Sequence, residues 1–165
     1  RGEVVEDCRG RLILPGFVCA HTHLYSTLSR GMPSPSAPPS SFPDMLRRVW
    51  WRYDEALTEE AIYYGAMAGA AQAAAAGTTT LIDHHASPNA IPGSLDIIRE
   101  ALGVVGVRGV LCYEVTDRGG LRRRDAGLAE NDRFLSFTLI LGVAFASVAW
   151  NASSVSAMVA PVWSR

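Results

Sequence analysis

A His-Thr-His triplet, His21 to His23, is the feature of the sequence whose residue types and spacing best suit chemistry, and it closes an almost continuously apolar run. Side chains alternate along a strand, so the two imidazoles would lie on one side with Cβ atoms about 6–7 Å apart. Both rings can then reach one ion at about 2.0–2.1 Å, which suits zinc or a similar divalent metal. The alternative is a solvated or hydrogen-bonded polar pair. The metal interpretation is favoured because sites of parallel sheets lie at the carboxyl ends of strands.

Further polar groups end two later apolar runs. Asp83, His84 and His85 follow the second run. Because neighbouring strand residues face opposite sides, at most one of these two histidines can point toward the first histidine pair. Both are candidate substrate-binding residues, and strand-end hydrogen bonding explains them equally well. Glu114 and Asp117 end the third run and could orient a ligand histidine or remain solvated.

Three other side chains could contact a substrate, and a nearby cysteine is assigned a structural role. Arg30 precedes a proline-rich loop at 31–43 and could bind a substrate carbonyl or carboxylate, or form a loop salt bridge. Trp50 and Trp51 could wall a pocket for an aromatic base, although core packing is the favoured interpretation. Cys19 is interpreted as interior filling rather than as a nucleophile.

The elements that must position these groups alternate between strand and helix. Apolar runs, caps and glycine stops predict strands at 12–23, 78–83 and 107–115, and helices at 44–56, 58–76 and 94–105. Thr58 and Ser94 are the expected N-caps. Two short strands, 3–8 and 11–14, are predicted around a turn near the amino end. This order predicts an α/β fold with a parallel sheet and right-handed crossovers.

Composition narrows the function further. The 165 residues carry 15 basic and 16 acidic side chains, a net charge of −1, which argues against nucleic-acid binding. Every basic residue is arginine. A lysine Schiff base, a P-loop lysine and a carbamylated lysine are therefore excluded within this chain. Three unevenly spaced cysteines without a CxxC motif favour a reducing compartment, and a cytoplasmic location is expected.

Several motifs together resemble a known family. Residues 14–26, Leu-Pro-Gly-Phe-Val-Cys-Ala-His-Thr-His-Leu-Tyr-Ser, with Ser-Arg-Gly-Met at 29–32, resemble the first barrel strand of the metal-dependent amidohydrolase superfamily, in its deaminase and chlorohydrolase branch. Residues 77–90 and 110–120 are similar to those of aminohydrolases associated with selenium metabolism. The resemblance covers roughly residues 1–135.

The resemblance implies a fold and a domain organisation. Residues 15–133 would be about the first three βα units of a (β/α)8 TIM barrel, preceded by the remnant of a small β-sandwich at 1–14. The segment 134–165 lies outside the family pattern. Its first seventeen residues, 134–150, carry no charge. A loosely packed helix prone to aggregation is expected there, with a membrane span as the disfavoured alternative.

The resemblance also implies an activity. His21 and His23 would be ligands of zinc, or of another divalent metal such as iron, in a hydrolase that removes an amino group from a cyclic amidine-type small molecule. Family members are often homo-oligomers. Their later ligands come from the fifth, sixth and eighth strands, and no histidine follows His85 here. The chain is therefore expected to be an amino-terminal piece that is inactive alone; the alternative is a non-catalytic barrel remnant that binds a partner or is tethered to a membrane.

Overall fold

Three parallel strands form the sheet that carries the histidines. The computed structural model describes residues 9–140, 147–151 and 154–158. The strands are β1 (Phe17–Thr22), β2 (Thr78–His85) and β3 (Arg108–Tyr113), in the spatial order β1-β2-β3. Both pairings are parallel. The predicted α/β class, with its strand-helix-strand order, is confirmed.

The first strand is shorter and more exposed than the sequence predicted. It begins at Phe17, not at residue 12, because Pro15 cannot donate to a ladder and interrupts the run. The strand predicted at 11–14 is wrong, since these residues adopt no strand, and the one predicted at 3–8 lies outside the described residues. Phe17 and Val18 are 61% and 62% exposed. Because successive strand residues face opposite sides, described residues cover neither face of β1 at its start.

Helical segments connect the strands. They are a 3-10 helix (Leu24–Ser29), α1 (Phe42–Met45), a π-helical turn (Leu46–Trp50), α2 (Trp51–Ala56), α3 (Glu59–Ala75), α4 (Ser94–Val105) and α5 (Leu121–Ile140). Residues 42–56 are one continuous helical run that begins two residues earlier than predicted. The Ser41 side chain accepts from the backbone N–H of Asp44, and Pro43 fits the first turn because it needs no donor there.

Helix α3 matches its prediction and packs closely on the 3-10 helix. The Thr58 hydroxyl accepts from the Ala61 N–H, and Gly77 adopts a φ of 82° just after the helix. Gly65 and Gly69 face the 3-10 helix. A Cβ at Gly65 would lie 3.3 Å from the Leu24 carbonyl oxygen. The missing side chains therefore let α3 approach the segment that follows His23.

Helix α4 begins differently from the prediction. The N-cap is Gly93, with a φ of 81°, and Ser94 is the first helical residue, whose hydroxyl donates to the Ile91 carbonyl. The buried carboxylate of Glu130 on α5 accepts from the N–H groups of Gly93 and Leu95. A carboxylate from a distant helix thus replaces the expected serine cap.

The end of the chain is not one loose helix. Helix α5 continues past residue 133, the expected end of the barrel units. Phe134 is fully buried in the core. Two short strands, β4 (Ser147–Asn151) and β5 (Ser154–Met158), then pair antiparallel. The helix expected in the segment 134–165 is therefore wrong over β4 and β5. No helix in the described part of the chain has the length and apolarity to cross a bilayer.

The core lies between one face of the sheet and helices α3, α4 and α5. Its largest buried side chains come from both layers; they are Ile62, Leu81, Leu95, Ile98, Leu111 and Phe134. The opposite face of the sheet bounds an open cavity of about 800 Å³. The sheet is thus packed on one side and open on the side where His21, His23 and His84 lie.

Candidate active site

The two histidines of the His-Thr-His triplet converge at the carboxyl end of β1. Their Nε2 atoms are 3.0 Å apart, and their ring centroids are 4.9 Å apart with an interplanar angle of 83°. His23 Nδ1 lies 3.0 Å from the backbone carbonyl of His84. A carbonyl can only accept, so the proton of neutral His23 sits on Nδ1 and its Nε2 presents a lone pair toward His21.

The separation of the two nitrogens is compatible with two ligands of one metal ion. Two nitrogens 3.0 Å apart, each at about 2.1 Å from one ion, would subtend about 90–95° at that ion. The Nδ1–H bond to a backbone carbonyl is also the usual second contact of a metal-binding imidazole. Within the described residues, no group of three or more His, Cys, Asp or Glu side chains is placed to hold an ion. Two donors fit a divalent metal, and a complete site needs more.

His84 and His85 lie on opposite faces of β2, as strand alternation requires. The His84 ring is 5.4 Å from the His23 ring and lines the cavity with it, and burial lowers the pKa of His84 to about 4. His85 is 0% exposed on the helix-covered face, where its Nε2 lies 2.9 Å from the Ser87 hydroxyl. Burial lowers its pKa to about 3. The substrate contact predicted for His85 does not fit this position, because the ring is enclosed in the core.

Asp83 fixes the end of β1 against β2. Its Oδ1 accepts from the backbone N–H of Leu24 at 2.7 Å and lies 3.1 Å from the Thr22 hydroxyl. That hydroxyl is also 3.0 Å from the carbonyl of Ile82. The carboxyl group is fully buried, and burial raises its pKa to about 7. Because Thr22 and Leu24 flank His23, these bonds hold the histidine pair in place.

Two tryptophans form an aromatic wall of a cavity that the histidines also line. The cavity has a volume of about 440 Å³, and His21, His23, His84, Trp50 and Trp51 are among the residues that line it. The two tryptophans therefore face the cavity, where the sequence favoured core packing for them. Planar rings that line the same cavity as an imidazole pair suit a flat, ring-shaped ligand.

An ion cluster borders this cavity through Asp54 and Glu114. Nη2 of Arg118 lies 2.7 Å from Oδ2 of Asp54 and 2.8 Å from Oε2 of Glu114, and the guanidinium is 5.3 Å from the Trp51 ring. Asp54 is 2% exposed, and burial raises its pKa to about 6 against the opposing effect of Arg118. Its Oδ1 is buried without a hydrogen-bond partner.

Sequence reasoning missed Asp54 and Arg118. The available signal was local only: Asp54 lies one helical turn after Trp50, and Arg118 lies four residues after Glu114. Glu114 itself lines the cavity as expected for a rim carboxylate, but it pairs with Arg118. Asp117, the other candidate, is exposed.

Two other predicted side chains lie at the margin of the site. Arg30 is exposed at the end of the 3-10 helix and is not among the residues that bound the 440 Å³ cavity, so its substrate contact stays a prediction. Cys19 is half-buried and packs against the core, and its thiol lies 3.6 Å from the His21 carbonyl. That position agrees with interior filling.

Proteins of known activity resemble this chain over most of its length. It is 35% identical over 127 residues to a 5'-deoxyadenosine deaminase of Methanobrevibacter smithii, which covers 77% of the chain and 27% of that relative. It is 31% identical over 133 residues to a 5-methylthioadenosine/S-adenosylhomocysteine deaminase of Thermococcus sibiricus, covering 81% and 29%. The chain therefore spans less than a third of the length of these relatives.

A solved structure supports the fold. Atrazine chlorohydrolase TrzN from Arthrobacter aurescens TC1, determined in complex with zinc, superposes with a TM-score of 0.52 at 22% identity, over 78% of this chain and 30% of that protein. The match to the family model called Amidohydrolase family covers residues 12–147, and so runs past residue 134, where the family pattern was expected to stop. With a match over most of its residues, this chain belongs to the amidohydrolase family.

Proposed function

We propose that this chain supplies two metal ligands and the aromatic substrate wall of a zinc-dependent hydrolase that removes an amino group from a ring carbon of a small, flat substrate. The observation that carries the proposal is the histidine pair, with Nε2 atoms 3.0 Å apart and the His23 tautomer set by the His84 carbonyl. The reaction type follows the relatives, which are named as deaminases of adenosine derivatives. The assignment is supported by the general rule that catalytic residues of (β/α)8 barrels lie at the carboxyl ends of the strands.

His21 and His23 are the residues that would hold the metal. A divalent zinc ion bound there would supply Lewis-acid activation of water for the hydrolysis. The part of His23 is to keep its Nε2 unprotonated, because its Nδ1 proton is committed to the His84 carbonyl. Asp83 keeps the neighbouring backbone fixed, so that both imidazoles retain this alignment.

The aromatic wall would select the substrate. Trp50 and Trp51 offer planar surfaces on which a purine-like ring can stack. Asp54 retains a buried carboxylate oxygen without a partner, which can accept from a hydroxyl or amino group of the substrate. His84 faces the same cavity and can contact the ring of the substrate.

Two imidazoles do not make an active metal centre, so this chain alone is expected to release no ammonia from adenosine derivatives.

A second candidate function is that of a non-catalytic binding protein. It is favoured by an exposed apolar run near the first strand, Leu12, Ile13, Leu14, Phe17 and Val18, which a partner could cover.

A Co²⁺ titration of the purified chain separates these functions. In the metal-site proposal, His21→Ala and His23→Ala each weaken Co²⁺ binding at least tenfold, on the order of the loss of one ligand or its supporting contact. His84→Ala is the matched control, because it removes a ring near the pair but keeps the backbone carbonyl that binds His23. Co²⁺ binding that is unaffected by both ligand substitutions would refute the metal site.

A further inference from the structure

The aromatic wall is attached to the rest of the chain in an unusual way. We define the wall segment as residues 42–56, which carry Trp50 and Trp51. Across its three helical pieces the one buried residue is Asp54, and every other residue is half-buried or exposed. Phe42, at its start, is 72% exposed. Tyr53 is partly buried against the core, but residues 42–56 lack the apolar face of several buried residues that normally holds a helix in place, so this segment needs another anchor.

Arg118 supplies that anchor. One nitrogen of its guanidinium binds both Asp54 on the wall segment and Glu114 at the end of β3, and its plane lies near the Trp51 ring. The Arg118 and Asp54 side chains are 13% and 3% exposed. Breaking such a pair leaves an uncompensated charge in a buried position, which costs far more than losing a surface pair.

The other polar contacts of the wall segment are weaker candidates. Arg123 lies 3.3 Å from the Glu55 carboxylate and donates to the Asn89 amide oxygen at 2.7 Å, and the Asn89 amide nitrogen donates to the Glu55 carbonyl at 2.8 Å. The Arg123 and Glu55 side chains are 32% and 54% exposed, so solvent screens their attraction. The Tyr53 hydroxyl donates to the Tyr25 carbonyl at 3.1 Å, a single neutral hydrogen bond.

We infer that Arg118 is a positioning residue that holds the wall segment against the end of β3 and so sets the width of the cavity that the tryptophans and the histidines line. The inference rests on the proposed function only in calling that cavity a substrate site. The attachment itself is a property of the chain without substrate or metal.

Hydrogen exchange followed by mass spectrometry measures this attachment. In Arg118→Met, which keeps most of the volume but no charge, amide exchange in residues 46–56 should accelerate about tenfold, because local opening no longer breaks the ion pair. Exchange in α4 should change less than about twofold, since α4 packs in the core away from Arg118. Arg123→Met is the matched control and should leave both regions within about twofold of the unsubstituted chain.

Each result decides the inference. Unchanged exchange in residues 46–56, equal acceleration in α4, or an equal effect of Arg123→Met would overturn it, because the wall would then not depend on Arg118 in particular. If Arg118→Met does not fold, Asp54→Asn removes the same pair from the other side and is judged by the same criteria. Failure of both variants to fold would also overturn it. None of these measurements uses metal or substrate, so they stand or fall separately from the Co²⁺ titration.

Discussion

His84 and His85 are neighbours on β2 with opposite surroundings. His84 faces the open cavity beside His23, while His85 is enclosed between Ser87, Tyr25 and Tyr113. The same strand therefore carries site residues on one face and core residues on the other. The difference shows that a histidine at a strand end is available to a ligand only if its side chain lies on the open face of the sheet. Residue type and position along the chain do not decide it.

The largest expected effect comes from the enclosed ring. His85→Ala should lower the free energy of unfolding by about 3 kcal/mol, because it empties a fully buried site and leaves the Ser87 hydroxyl without one partner. His84→Ala should cost less than about 1 kcal/mol, since the ring borders an open cavity. Urea unfolding with unchanged m-values measures both. Equal losses would remove the distinction between the two faces.

A smaller effect is expected at Thr22, whose hydroxyl links the end of β1 to β2. Thr22→Val keeps the side-chain shape but removes the hydroxyl that lies between Asp83 and the Ile82 carbonyl. We expect a loss of about 1.5 kcal/mol in the free energy of unfolding, together with weaker Co²⁺ binding, because the strand end that carries the histidine pair loosens. Thr80→Val on the adjacent strand is a control for valine at a strand position. An equal effect on Co²⁺ binding in both variants would contradict the assigned role of Thr22.

The contribution of the buried Asp54 carboxyl group to the free energy of unfolding is expected to depend on pH. Burial raises its folded pKa to about 6 from 3.8, so the folded chain binds this proton more tightly than the unfolded chain does. The contribution of Asp54 to stability is then fully present below about pH 4 and falls as the pH rises to about 6, and Arg118, Glu114 and Glu55 are the charges that tune it.

The test compares the unsubstituted chain with Asp54→Asn. From pH 5 to pH 7 the free energy of unfolding of the variant should gain about 1 kcal/mol on that of the unsubstituted chain. The difference between the two curves matters, because the lowered pKa values of His84 and His85 act with the opposite sign in both chains. Parallel curves would show that Asp54 titrates normally in the folded state.

The smallest effect is expected at the start of β1. Val18→Thr should change the free energy of unfolding by less than about 0.5 kcal/mol, because the side chain is 62% exposed. Leu81→Thr, on the core face of β2, should cost several times more and serves as the comparison. A large loss at Val18 would indicate that something covers this strand in solution, as the second candidate function requires.

Local patterns predicted the elements well where local physics decides them. The alternation of strand side chains placed one histidine of the His84-His85 pair away from the site, and the Thr58 cap and the Gly77 stop located α3. The convergence of His21 and His23 also follows from their spacing. Each of these features depends on residues only a few positions apart.

Contacts between residues that are far apart in the sequence could not be predicted from it. Glu130 caps α4 from a position 37 residues away, and Arg118 binds Asp54 across 64 residues. No periodicity or capping rule relates residues at such separations, because they meet only when the fold is complete. The exposure of Phe17 and Val18 escaped for a related reason, since an apolar run does not reveal whether a neighbouring layer covers it.

The close approach of α3 to the 3-10 helix has a consequence for protein engineering. Replacing a helical glycine by alanine is a standard stabilising substitution, worth about 1 kcal/mol in helix propensity. At Gly69 the added methyl would lie 2.6 Å from Leu24 Cδ2 and 2.7 Å from the Thr27 hydroxyl, and at Gly65 it would press on the Leu24 carbonyl. At Gly69 the Leu24 and Thr27 side chains would have to reorient, whereas at Gly65 the neighbouring atom is backbone, so relief there must move the chain that follows His23. Selection for thermal stability alone could therefore gain helix propensity at Gly65 at the expense of the alignment of the histidine pair.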